Sequence, residues 1–163
     1  MLGIIVLSLD SMFVGLALGL FGVRKQHWRL AWQAVGFADL IALLLGRSLS
    51  SAVRPMTSSE QLALFTGCAL AAIFLGRLCT GRPRVVILGM ALLFSIDNLL
   101  AGSQSASLSS TALVAVATGI SSCLACLAGL HVAAKMSSTA LHGRPRLSLA
   151  LAIAAVVAAF LAF

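Results

Sequence analysis

Charge is what this sequence has least of. Only 9% of its 163 residues are Asp, Glu, Lys or Arg, and only four of those are acidic. A soluble domain carries about 25% charged residues, so this chain has too little polar surface to enclose a core and stay in water. Disorder is excluded too, because disordered chains are charge-rich and poor in apolar residues. This one is 61% hydrophobic, with a mean hydropathy of +1.10. Its apolar runs do not alternate with polar residues, which argues against a transmembrane barrel. Aromatic residues do not interleave with basic ones, so the net charge of +7 does not describe a nucleic-acid surface. The basic residues sit in short clusters between apolar runs, as loop charges of membrane proteins do. No serine nucleophile elbow, HExxH, Walker A loop or haem motif is present; neither an enzyme nor a bound cofactor is expected. The N-terminus lacks a basic n-region and a cleavage site, and Asp10 interrupts its first apolar run. It reads as a retained span and not as a signal peptide. The class that remains is an all-α membrane protein, multi-pass, with the lipid bilayer as its main partner. At roughly 20 residues per span, the chain holds five or six spans and little else.

Six apolar segments are expected to be helices: Leu2–Val23, Leu30–Leu49, Gln61–Leu78, Val85–Ser103, Thr111–Ala134 and Leu147–Phe163. Basic and turn-forming residues separate them. Arg24 to Arg29 divides the first two, Ser50 to Pro55 the next pair, and Gly-Arg-Pro-Arg stands both at Gly81–Arg84 and at Gly143–Arg146. Proline is tolerated in a first helical turn, where its missing N–H would have had no partner. Thr57 to Glu60 fits a capping box for the third helix, which gives Glu60 a structural role. Trp28 and Trp32 flank the start of the second helix, where an interfacial aromatic belt is expected.

The odd-numbered loops and their helix ends hold Arg24, Lys25, Arg29, Arg77, Arg82, Arg84, Lys135, Arg144 and Arg146; the even ones hold only Arg47 and Arg54. The positive-inside rule puts the odd loops in the cytoplasm and both termini outside, in a cell (inner) membrane. The first and fourth helices then begin on opposite sides. They also carry a repeated motif, Ser8-Leu9-Asp10-Ser11-Met12-Phe13-Val14-Gly15 and Ser95-Ile96-Asp97-Asn98-Leu99-Leu100-Ala101-Gly102. Serine, a branched aliphatic, aspartate and glycine recur at one offset. The expected architecture is a single transmembrane domain of two inverted three-helix repeats, 1–80 and 81–163, as in many secondary transporters.

Three of the four acidic residues, Asp10, Asp39 and Asp97, fall deep in apolar segments. A carboxylate at the bilayer centre costs at least ~2.5–3.5 kcal/mol on insertion scales. Three such residues offset a sizeable part of a net stability of roughly 5–15 kcal/mol. An intramembrane carboxylate is therefore read as functional first. In an inverted repeat Asp10 and Asp97 converge on the pseudo-two-fold axis, where like charges repel and a divalent cation relieves them. Carboxylate, hydroxyl and amide oxygens suit Mn²⁺, Mg²⁺ or Ca²⁺. The expected metal site is Asp10 and Asp97, with Ser8, Ser11, Ser95 and Asn98 as oxygen donors and Asp39 completing it or carrying a proton. The competing structural reading has the aspartates locking helices together through Arg47, Arg77 or backbone donors. Cys123 and Cys126, with His131 further along, form a second candidate pair for Zn²⁺ or Cd²⁺; small residues of this kind also serve as packing filler. Gly15 and Gly19 make a small-xxx-small pattern suited to close helix packing.

The two Ser-aliphatic-Asp segments resemble those of the bacterial manganese efflux pump family (MntP type). That family lies within a lysine-exporter-like superfamily that includes cadmium- and tellurium-resistance membrane proteins. Asp39 followed by Gly46 is similar to the acidic residue and glycine of the family's second helix. The resemblance implies six helices in two inverted repeats, with Asp10, Asp39 and Asp97 contributing to Mn²⁺ recognition and export. Ser11 and Asn98 stand where the family typically has alanine. The fifth helix lacks an acidic counterpart of Asp39; at the repeat offset sits Cys126. The expected function is therefore a secondary transporter exporting a divalent cation, Mn²⁺ first. A structural subunit of a larger membrane complex, a homodimer, and an exporter of cadmium, zinc or a small amino compound stay open as alternatives.

Overall fold

A computed structural model describes residues 2–49, 57–78, 82–103, 108–139, 150–155 and 157; the side chains of 2–9, 58, 78, 108–111 and 137–139 are outside that description. The described residues are helical apart from short turns. The helices are α1 (Leu2–Leu20), α2 (Trp28–Ser48), α3 (Ser58–Leu78), α4 (Pro83–Phe94), α5 (Ile96–Ser103) and α6 (Leu108–Thr139), with a 3₁₀ turn at Lys25–His27 before α2. Four stretches are long and apolar enough to cross a membrane: Lys25–Ser48, Ser59–Arg77, Pro83–Ser103 and Ala112–Met136. The chain is a helical membrane protein. Of the expected sixth segment, 150–155 is helical. The Arg54-Pro55 and Gly143 to Arg146 breaks lie outside the described residues.

Local chemistry sets the helix ends. The first helix stops three residues short of the expected Val23, because Gly22 turns left-handed with φ +85°. Its N–H donates to the Gly19 carbonyl at 3.1 Å and that of Val23 to Leu18 at 3.1 Å, the two bonds of a Schellman cap. At the start of α3 the Thr57 N–H donates to Glu60 Oε2 at 2.8 Å and the Glu60 N–H to Thr57 Oγ1 at 3.4 Å. That is the capping box expected from sequence. Pro83 opens α4 from its first turn.

The fourth span is interrupted at a single residue. Only Ser95 parts α4 from α5, and the backbone ladder continues through it: Ser95 N–H to Ala91 at 3.2 Å and Leu99 N–H to Ser95 at 3.0 Å. The Ser95 hydroxyl donates to the Leu92 carbonyl at 3.0 Å. A serine that bonds back to its own helix competes with the ladder and bends it. Asp97 stands in the first turn of α5.

The long central helix α6 packs along α1 and α2, while α2 also packs on α5 and α4, and α3 packs on α4. Val14, Leu18, Val35, Ile87, Met90, Phe94 and Leu130 form the apolar core. Ala152 of the C-terminal stretch joins Leu20 and Ala133 in a smaller cluster. Phe37, Phe74, Leu92, Leu113 and Leu124 are each at least 64% exposed. Large apolar side chains outside and polar ones inside invert the soluble pattern, as suits a surface bathed in lipid.

Candidate functional site: a buried polar cluster

Asp10 and Ser11 from α1, Asp39 from α2, Asp97 and Asn98 from α5, and Thr118 and Ser122 from α6 are all buried. Helical periodicity turns each of them inward while the lipid-facing positions stay apolar. The Ser11 hydroxyl lies 3.2 Å from Asp10 Oδ1 and 3.1 Å from Asp39 Oδ2, so a single O–H bridges two carboxylates from different helices. Asp10 is within Coulombic reach of both Asp97 and Asp39, and Asp97 within reach of Asp39. Ser122 and Asn98 face Asp39 alongside Ser11. Among the described residues, the groups acting on the three carboxylates are one another and neutral donors.

Hydrogen bonding within the cluster is incomplete. Among the described residues, Asp10 Oδ2, both carboxylate oxygens of Asp97, both amide atoms of Asn98, Thr118 Oγ1 and Ser122 Oγ have no hydrogen-bond partner. Ser122 and Asn98 thus sit beside Asp39 without aligning on it. Each such buried group costs about 1–3 kcal/mol when left unpaired. Six of them, on Asp10, Asp97, Asn98 and Ser122, belong to the groups around Asp39 and form an interior that a cation or water would satisfy.

Most of the sequence-derived donors assemble. Asp10, Asp39, Asp97, Ser11 and Asn98 converge, while Ser8 has its side chain outside the description. Ser95 is buried two residues before Asp97, and its hydroxyl donates its proton to the Leu92 carbonyl, which leaves its oxygen lone pairs unused. Asp39 is more central than the sequence suggested, being joined to Asp10 through Ser11. Among the described residues no three His, Cys, Asp or Glu side chains form a set that could hold one metal ion. A cation here would draw on neutral oxygens beside its carboxylates.

The cysteine site does not assemble either. Cys123 packs on Gly36 and Cys126 on Gly15. His131 instead meets Trp28 edge-on, with ring centroids 5.0 Å apart. Both cysteines serve as small packing residues. Trp28 donates its indole N–H to the Val23 carbonyl at 3.3 Å, pinning the turn that leads into α2.

Glycines set the register of the seams that align the cluster. A methyl group on Gly15 would collide with the Cys126 carbonyl, and one on Gly102 with that of Leu43. Likewise Gly129 lies against the Met12 carbonyl and Gly46 against that of Leu99. Gly36 and Gly119 face each other, a Cβ on Gly119 falling 3.0 Å from the Gly36 carbonyl oxygen. Thr118 and Ser122 were missed from the sequence. The available signal was a shared glycine frame, Gly36-Phe37-Ala38-Asp39 to Gly46 against Gly119-Ile120-Ser121-Ser122 to Gly129.

Comparison with family models, curated proteins and solved structures gave no match. Fold and cluster together define a helical membrane protein with a polar, carboxylate-bearing interior.

Proposed function

We propose that the protein is a secondary transporter that exports a divalent cation, Mn²⁺ first, across the cell membrane. Its site is built on Asp10 and Asp97, with Asp39, Ser11 and Asn98 around them. The observation that carries this reading is the cluster itself: three carboxylates buried together, with only one another and neutral donors of the described residues acting on them, beside six unpartnered polar atoms of Asp10, Asp97, Asn98 and Ser122. Buried charge of one sign is costly unless something of the opposite sign joins it. Oxygen donors of this kind suit hard and borderline divalent ions. With no nucleotide-binding motif in the sequence, transport is coupled to an ion or voltage gradient or is passive.

The fuller architecture in this proposal is six spans in two inverted repeats, with both termini outside. The glycine seams support it. The step from Asp10 to Asp97 also takes Met12 to Leu99 and Gly15 to Gly102. The step from Gly36 to Gly119 takes Leu43 to Cys126 and Gly46 to Gly129. Each seam contact in one half thus has its mate in the other. The interruption at Ser95, two residues before Asp97, is similar to the interrupted helices at transporter sites.

Growth in excess manganese tests the reading. Asp10→Ala and Asp97→Ala are expected to abolish manganese tolerance conferred by the protein while it still accumulates folded in the membrane. Unchanged tolerance in either variant overturns the proposal.

A further inference from the structure

The matched seams fix a correspondence that the Asp10/Asp97 offset does not. Across α1 and α5, equivalent residues are separated by the Asp10-to-Asp97 step. Across α2 and α6, Gly36 pairs with Gly119, Leu43 with Cys126 and Gly46 with Gly129, a step about one helical turn shorter. Applied to Asp39, the shorter step lands on Ser122. Cys126 is displaced as the counterpart and becomes the mate of Leu43, a residue of the packing seam.

Ser122 behaves as a site residue on independent grounds. It is fully buried, it faces Asp39, and its hydroxyl has no hydrogen-bond partner. The cluster then resolves into three pairs across the pseudo-two-fold axis: Asp10 with Asp97, Ser11 with Asn98, and Asp39 with Ser122. Only the third of them joins oxygen donors of unlike charge at equivalent places, a carboxylate against a hydroxyl. Gly36 and Gly119, three residues before Asp39 and Ser122, lie against each other on that axis. That contact brings the third pair close together.

We infer that Ser122 is a binding residue for the transported cation, the second half's equivalent of Asp39, and that the carboxylate of this pair works from either side of the axis. The inference rests on the transporter reading above and adds a residue the repeated motif does not contain. A carboxylate moved across the axis keeps the site's charge and its distance to the Asp10/Asp97 pair, so an exchange of the two residues is expected to preserve binding. A residue that merely fills space has no reason to rescue the loss of an acid on another helix.

The experiment is a Mn²⁺ titration of the purified full-length protein in detergent, with melting temperature and elution profile as folding controls. Asp39→Ser is expected to weaken binding about 10- to 100-fold. The exchange Asp39→Ser with Ser122→Asp is expected to recover most of that loss. Failure of a folded exchange variant to improve on Asp39→Ser overturns the inference. If the exchange variant does not fold, Ser122→Ala decides. It removes a hydroxyl with no partner and should fold normally, yet bind Mn²⁺ several-fold more weakly; undiminished binding overturns the inference. A wild-type protein that binds no divalent cation would instead bring down the transporter reading, and Ser122's role with it.

Discussion

The two halves of the polar interior hold similar residues in different states. In the first half Ser11 ties Asp10 to Asp39, and only Asp10 Oδ2 is left over. In the second half Asp97, Asn98, Thr118 and Ser122 contribute six of the seven unpartnered atoms. The seams around them are alike, glycine against backbone in both. The frame is therefore shared while the hydrogen bonding is not. A tied half holds its carboxylates in place, and an open half keeps donors available. An interior satisfied on both sides would be more stable and would have nothing to offer a ligand.

The largest expected effect probes the shared frame. Gly46→Ala and Gly129→Ala each drive a methyl group into backbone that cannot turn aside. Each should cost about 1–3 kcal/mol or more, by the usual cost of overpacking, read as a lowered melting temperature in detergent. Similar losses sharpen the likeness of the halves; a loss at one glycine and none at the other breaks it.

Next comes the tied half. Ser11→Ala removes the one hydroxyl between two carboxylates, and stability should fall by about 1–3 kcal/mol as buried oxygens lose their donor. The smallest effect belongs to the open half and carries the opposite sign. Thr118→Val replaces an unpartnered buried hydroxyl by a methyl of similar shape. The cation-free protein should then be unchanged or more stable, by up to about 1 kcal/mol. If Thr118→Val destabilises as much as Ser11→Ala does, the two halves do not differ in the way described.

Much of this was legible in the sequence. Thr57 and Glu60 announced the start of α3, and the rarity of acidic residues singled out Asp10, Asp39 and Asp97 as buried. Other assignments shifted once side chains were placed. Ser95 was read as an oxygen donor, and its proton goes to the Leu92 carbonyl where α4 gives way to α5. Cys123, Cys126 and His131 looked like a soft-metal set, but two of them pack on glycines and the third on Trp28. Asp39 had been an accessory and is now bridged to Asp10.

What the sequence determined alone is membership of the membrane class and the depth of the three aspartates. Insertion into a bilayer depends on hydropathy summed over roughly 20 neighbouring residues, and that sum is local. Which polar residues meet is not local. It depends on how far one helix slides along another, and a slide of one turn exchanges Cys126 for Ser122 opposite Asp39. Only the tertiary structure decided that register, because it is set where glycines let two backbones touch.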